Sequence, residues 1–242
     1  MIAIILAGGY GKRLQPLTRD KPKALLLIAG KPILKYILEK IGELDVYRII
    51  LSANMRFKLD FEYWLKANGY GEVEVIADES YREEEKPGAV KALAELTKNL
   101  SDDCLIIAGD NLFTDSLRGM VEAYGKVRTP MIALYDIGSL ELARNYSTVI
   151  VDRENRVLSL KEKPLNPETT LIGTCIYILP RKTLPKIREY VNEGLGVDEP
   201  GRFIEWLHKK VPVYGYLLRG KWWDIGTIES YNSANEFFRK LK

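Results

Sequence analysis

Short apolar runs alternate with longer stretches of helical period through the first half of the chain. Ile2–Ala7, Tyr47–Ala53, Glu72–Ala77, Cys104–Ala108 and Met131–Asp136 are rich in β-branched and apolar residues, and predict strands. Between them the period lengthens. A helix is expected to open at Pro32, whose fixed φ suits a first turn, with Ile33, Ile37, Leu38, Ile41 and Leu44 on its inward stripe. Phe57–Ala67 and Ala89–Leu100 carry similar stripes. Strand and helix in alternation predict an α/β fold of βαβ units, Rossmann-like, with a mostly parallel mixed sheet flanked by helices. After about residue 145 the pattern turns to strict alternation. Thr148–Val151, a turn at Arg153–Arg156 and Val157–Glu162 predict a hairpin, Thr170–Leu179 a further strand, and Ile228–Leu241 a last helix with Thr227 as its N-cap. This second half is expected to be a β-rich insertion closing over the sheet.

The chain has 242 residues, 46% of them hydrophobic, enough for one substantial core and a single domain. A net charge of +3 with 29% charged residues, scattered along the chain, gives no electrostatic case for nucleic acid. Cys104 and Cys175 lie in apolar runs, so two buried, reduced thiols are expected, in keeping with a cytoplasmic protein. Met1–Leu6 is too short for a signal peptide, and no run is long enough to span a membrane. One glutamine and one histidine against abundant Lys and Glu is a thermophile-like balance.

The most informative segment is Leu6-Ala7-Gly8-Gly9-Tyr10-Gly11-Lys12-Arg13, a glycine-rich turn directly after an apolar strand. Gly8, Gly9 and Gly11 are expected to allow positive φ and close approach to a phosphate, whose oxygens the backbone N–H groups would meet. Arg13 adds a bidentate fork and Lys23 a point charge, so the segment is expected to cradle a nucleoside triphosphate. Commoner glycine motifs fail on spacing. A dinucleotide fingerprint counted from Gly9 finds Gly11 and then Leu14, and a Walker loop would need Ser or Thr where Gly11-Lys12 is followed by Arg13 and Gly30-Lys31 by Pro32. Asp110, at the end of Cys104-Leu-Ile-Ile-Ala-Gly-Asp, is a hard carboxylate past a strand end and a natural ligand for Mg²⁺; Asp224 in Trp222-Trp223-Asp224 is the second candidate, with the two tryptophans positioning it.

Leu6 to Thr18, with Lys21-Pro22-Lys23, resembles the signature of the sugar nucleotidyltransferases, the nucleoside-diphosphate-sugar pyrophosphorylases. Gly109-Asp110-Asn111 and Lys161-Glu162-Lys163-Pro164 look most like the glucose-1-phosphate thymidylyltransferase branch. The resemblance implies a nucleotide-binding part over about 1–140, an acceptor-binding part over about 141–226, and a closing helix over 227–242. It implies that Leu6, Ala7, Gly8, Gly9, Gly11, Arg13, Lys23, Glu83 and Gly88 bind the nucleotide, that Asp110 and Asp224 hold one Mg²⁺, and that Glu162 and Lys163 take the sugar phosphate. The implied reaction is in-line attack by the acceptor's phosphate on the α-phosphorus of the triphosphate, with Arg13 toward the β and γ phosphates and Lys23 near the α-phosphate. The attacking phosphate is already an anion, so positioning and charge neutralisation suffice without His or Cys.

Three positions depart from that pattern. Glu83 in Tyr81-Arg-Glu-Glu-Glu-Lys-Pro-Gly88 stands where the thymidylyltransferase branch reads its base with glutamine, so the base is open. Ser147 and Cys175, the latter after Thr174, stand where relatives carry glycines in segments that line the sugar pocket. dTTP or UTP with glucose 1-phosphate is therefore a default. Another sugar, a non-sugar phosphate acceptor, or a catalytically silent nucleotide-binding subunit are the alternatives, and whether Phe237 and Phe238 serve the core or a homo-oligomer interface is left open.

Overall fold

The structure, a computed structural model, describes residues 1–241, and the chain divides into two compact units. One comprises Met1–Lys86, Ile107–Leu117 and the chain from Gly220 on; the other comprises Pro87–Ile106 and Arg118–Arg219.

In the first unit the strands Ile2–Leu6, Arg48–Asn54 and Glu74–Asp78 lie parallel, in the register Ile4 to Ile50 and Leu51 to Val75. The helices Ile33–Gly42 and Lys58–Ala67 connect them, which makes two βαβ units. Ala3, Ile4 and Ile5 are fully buried, and each large aliphatic side chain removed from water in this way contributes roughly 1.5–3 kcal/mol. Pro32 is the N-cap of the first helix, and Ile33, Leu34, Ile37, Leu38 and Ile41 form its buried stripe. Leu44, expected on that stripe, falls beyond the helix end at Gly42 and is half-buried, while Leu34 takes its share of the core. Asn111–Phe113 pairs antiparallel with Trp222–Asp224, which draws the end of the chain back beside residue 111. The last helix spans Ile228–Lys240, with Thr227 Oγ1 accepting from Ser230 N at 3.2 Å. Phe237 and Phe238 pack on Trp223 with ring centroids 5.0 and 5.6 Å away, and Phe238 meets Tyr36 at 4.8 Å.

The second unit is mainly antiparallel, the β-rich part expected. Ser147–Val151 and Val157–Glu162 form the hairpin, in a register that sets Ser147 opposite Glu162. Asp152 Oδ1 closes its turn by accepting from the N–H groups of Glu154 and Arg156, both at 2.9 Å, and Asn155 takes a left-handed φ of 64°. Leu171–Leu179 pairs antiparallel with Ser147–Val151 and with Met131–Asp136, and Tyr214–Leu217 adds in parallel to the latter. The helix Pro200–Leu207 packs against the hairpin strand Val157–Glu162. Neither cysteine forms a disulfide. Burial, with Asp103 and Asp102 nearby, pushes the Cys104 thiol up to about 12, as expected of an inert core cysteine. Cys175 is only half-buried, against expectation, because on its strand Leu171, Gly173 and Cys175 share the open face while Ile172, Thr174 and Ile176 point into the core.

Candidate active site

The glycine turn of the first unit starts where Ile2–Leu6 ends. Ala7 N donates to Ser52 O at 2.8 Å, which extends the ladder one residue past Leu6. Of the three glycines only Gly11 has positive φ, 64°, so the expectation for Gly8 and Gly9 is corrected. Gly9 would meet nothing with a Cβ, and Gly8 only ordinary contacts, so both leave the turn open rather than bend it left-handed. Asn54, fully buried at the end of the neighbouring strand, fixes the turn: its Nδ2 donates to Gly8 O at 3.0 Å while its Oδ1 caps Phe57 N at 3.0 Å. Gly11 opens a short 3₁₀ turn, Lys12–Leu14, that carries Arg13.

Four charged side chains converge beside this turn. Gly109 N donates to Leu6 O at 2.8 Å, and a Cβ on Gly109 would press within 3.0 Å of Ala7, so glycine there allows the Asp110 loop to lie against the turn. Lys23 Nζ donates to Asp110 Oδ2, and Asn111 Nδ2 donates to Asp110 Oδ1 at 3.1 Å. Trp222 Nε1 in turn holds Asn111 Oδ1 at 2.8 Å, and Ile225 N donates to Asp110 O at 2.9 Å. Asp224 thus belongs to the same cluster. At Gly226 an added Cβ would sit 3.2 Å from an Arg13 guanidinium nitrogen and 3.5 Å from an Asp224 carboxylate oxygen, so this bare position leaves room for both charges. Burial alone would lower the Lys23 ammonium and raise Asp110. Their mutual attraction outweighs it, raising Lys23, which Asp224 helps, and lowering Asp110. Asp110 and Asp224, both near Lys23, are the hard carboxylates in this cluster that could hold a hydrated Mg²⁺.

Glu83 lies in the same unit, on the 3₁₀ turn Glu83–Glu85, with Lys12 Nζ 3.4 Å from its Oε2 and Lys86 Nζ 3.8 Å from its Oε1. Gly88 lies in the other unit with φ 91°, and Val197 would obstruct any side chain there at 2.7 Å.

A second cluster forms at the hairpin end of the second unit. Ser147 Oγ donates to Glu162 Oε2, and Glu162 N donates to Glu205 Oε2 at 3.1 Å. Lys163 has a left-handed φ of 46°, with its N–H on Tyr146 O at 3.1 Å. Its ammonium donates to Glu199 Oε1 at 2.8 Å, and Arg202 Nε donates to the other oxygen of Glu199 at 2.6 Å. A Cβ on Gly201 would land on Glu162 and Ser147, and Gly173 lies 3.6 Å from Ser147 by the same measure. Burial raises Glu162, against the hydrogen bond from Ser147 and the charge of Lys163. Tyr177 lies close by, its phenol raised by burial with Cys175 and Glu162 near it. Ser147, Glu162, Lys163 and Cys175 therefore share one neighbourhood. Thr174 points the other way; it is buried and its hydroxyl donates to Ala133 O at 3.0 Å.

Asn54, Glu199, Gly201, Arg202 and Glu205 are site residues that sequence reading missed. Asn54 had one legible sign, a polar residue between an apolar strand and a helix. Asp198-Glu199-Pro200 is a helix start, with Glu199 and Arg202 spaced as an i,i+3 ion pair.

The glycine turn thus follows a parallel strand and has two cations and two carboxylates beside it, Asp110 past the end of Cys104–Ala108 and Asp224 at the end of Trp222–Asp224. The model of the nucleotidyl transferase family matches residues 2–240, and the chain belongs to this family. It is 32% identical over 242 residues to the bifunctional protein GlmU of Methanocaldococcus jannaschii, an alignment that covers 98% of this chain and 54% of that protein. The chain thus spans about half the length of the first curated relatives it matches. It is 30% identical to the D-glycero-alpha-D-manno-heptose 1-phosphate guanylyltransferase of Aneurinibacillus thermoaerophilus, over 98% of this chain and 97% of that one. A solved structure from Bacillus anthracis, provisionally assigned as a glucose-1-phosphate thymidylyltransferase and crystallised with a sucrose, superposes with a TM-score of 0.86 at 23% identity, over 100% of this chain and 97% of that one. The family expected from the glycine-rich signature and the α/β fold expected from the alternation of strands and helices both hold. Among the described residues, no helix is long and apolar enough to cross a membrane.

Proposed function

We propose that this protein transfers a nucleotidyl group from a nucleoside triphosphate to a sugar 1-phosphate, releasing pyrophosphate and forming a nucleoside-diphosphate sugar. The observation that carries the reading is the convergence of Arg13, Lys23, Asp110 and Asp224 beside the glycine turn. The turn takes the triphosphate, Arg13 draws charge from the leaving β and γ phosphates, and Lys23 leaves Asp110 to neutralise the α-phosphate. Asp110 and Asp224 would hold Mg²⁺, which would add charge neutralisation on the phosphates when bound. Lys163 holds the attacking phosphate, and Glu162 accepts from hydroxyls of the acceptor.

An oxygen of the acceptor phosphate forms the new bond to the α-phosphorus as the bond to the pyrophosphate oxygen breaks, and no proton need move. Charge placed in advance where the transition state spreads it is the source of rate in such a site. Family resemblance makes glucose 1-phosphate with dTTP or UTP the default. The heptose 1-phosphate guanylyltransferase among the relatives widens the field on both substrates.

Pyrophosphate release tests the reading, with the common nucleoside triphosphates assayed against a panel of sugar 1-phosphates in the presence of Mg²⁺. Turnover with at least one pair, lowered about 10³-fold by Asp110→Asn, is expected. Nucleotide binding without turnover across the panel would favour a non-sugar acceptor or a silent subunit.

A further inference from the structure

Glu199 divides its carboxylate between two cations of the second unit. Its Oε1 accepts from Lys163 Nζ at 2.8 Å and its Oε2 from Arg202 Nε at 2.6 Å. Both hydrogen bonds lower the carboxylate, that from Lys163 the more. The two cations are mounted differently. Arg202 stands three residues along from Glu199 at the start of the helix Pro200–Leu207, so their pair is local. The loop before the helix passes close to the Arg202 stem, where a Cβ on Gly196 would sit 3.2 Å from Cδ. Lys163 reaches over from the hairpin end. Its backbone is held by the left-handed φ of 46° and the bond to Tyr146 O, which leaves the flexible side-chain stem to move the ammonium. The side chains are 44% exposed at Lys163, 32% at Glu199 and 48% at Arg202, so an anion from solvent reaches them.

Resting on the nucleotidyl-transfer reading, in which Lys163 takes the acceptor's phosphate, we infer that Arg202 is a positioning residue for that reaction: it retains Glu199 while Lys163 turns to the phosphate. A carboxylate whose only cation leaves is stripped of its partner, and the phosphate must compete with it at full strength. With Arg202 in place, Glu199 gives up one of two partners. Arg202 is suited to the part, since a guanidinium stays charged and its planar fork fixes the carboxylate, whereas an ammonium is a mobile point charge. Glu199 is then a competitor of the substrate that Arg202 restrains. Arg202 therefore matters to acceptor binding only as long as residue 199 is a carboxylate.

The test is a double-mutant cycle on Arg202→Met and Glu199→Gln, read as KM and kcat for the acceptor that turns over. Both residues also act on Glu162 by charge, so the assays are run at pH 8, where Glu162 is ionised. Arg202→Met is expected to raise the acceptor KM about two- to fivefold with kcat within about twofold, and Glu199→Gln to lower KM by a similar factor. The double variant is expected to match Glu199→Gln. A second readout needs no substrate: acylation of Lys163 in the free protein by an N-hydroxysuccinimide ester, followed by mass spectrometry of the peptide that carries it. Pairing with a carboxylate keeps an amine protonated and slow to acylate. Arg202→Met should thus react more slowly than wild type, and Glu199→Gln and the double variant equally faster. An equal rise in KM from Arg202→Met in both backgrounds overturns the inference and makes Arg202 a direct contact of the phosphate. So does a KM raised by Glu199→Gln, or a Lys163 acylation rate that Arg202→Met leaves unchanged. The expected acylation order without turnover across the panel would remove the transfer reading and keep the hold of Arg202 on Glu199, whereas turnover with any of the overturning results would do the reverse.

Discussion

The two charged clusters hold their carboxylates in opposite ways. In the first unit Asp110 faces Lys23 directly, and each pulls the other toward its ionised form. In the second unit Glu162 has a neutral hydroxyl as its contact, Lys163 gives its ammonium to Glu199, and burial leaves Glu162 raised. One cluster is balanced before any ligand arrives. The other is off balance in a way that hydroxyl donors and a phosphate would correct, the hydroxyls by bonding Glu162 and the phosphate by drawing Lys163 from Glu199. A site that handles a charged leaving group needs fixed charge, whereas one that recognises a polyhydroxyl acceptor gains from acceptors whose needs are unmet.

Breaking the balanced pair should have the larger effect. Lys23→Met removes a cation from the phosphates and leaves Asp110 without its partner, so kcat is expected to fall about 10²–10³-fold. Stability at pH 7 should drop by about 1–3 kcal/mol. Asp110 is lowered in the folded state, so the pair's stability is present above the unfolded carboxylate value of about 4 and disappears as pH falls through the folded value. Urea titrations at pH 7 and pH 3 check this: the gap between wild type and variant should narrow in acid. An equal gap at both pH values would mean that Lys23 acts by packing and that the comparison is wrong on this side.

Glu162→Gln should do the reverse, costing binding without costing stability. Loss of a charged acceptor for sugar hydroxyls is expected to raise the acceptor KM about 10–100-fold, with kcat less affected. A raised carboxylate contributes its stability below the unfolded value and loses it as pH rises through the folded value, so at pH 8 ionised Glu162 is a burden that Gln does not carry. Unfolding at pH 8 should show the variant as stable as wild type or more so. Destabilisation matching that of Lys23→Met would erase the contrast between the clusters.

The first cluster was largely legible in the sequence because local pattern dictates it. A strand that ends in Leu6 and runs into glycines, and another that ends in Ala108-Gly109-Asp110, place their polar residues by chain direction alone. What could not be read was φ at Gly8 and Gly9, since a glycine permits a left-handed turn without requiring one. In the second cluster the hairpin pairing of Ser147 with Glu162 follows from alternation and a turn of the right length. Glu199, Gly201, Arg202 and Glu205 come from a helix roughly forty residues further on, and nothing local in Glu199-Pro-Gly-Arg-Phe-Ile-Glu205 says which strand it will meet. Thr174 and Cys175 show the same limit at one position's scale: adjacent residues of one strand face opposite sides, and the sequence alone offered both to the acceptor.

The finest test of the comparison is Ser147→Gly, which restores the residue the family pattern leads one to expect. Ser147 lowers Glu162 through its hydrogen bond, so its removal lets burial raise Glu162 further. If the acceptor is bound by ionised Glu162, the acid limb of kcat/KM for the acceptor should move to higher pH in the variant, while nucleotide affinity stays put. At pH 7 the loss should be only a few-fold, the worth of one hydrogen bond to a charged group less what the added space returns. An acid limb that stays in place while acceptor affinity falls would make Ser147 itself the contact to the acceptor, with Glu162 behind it as its support.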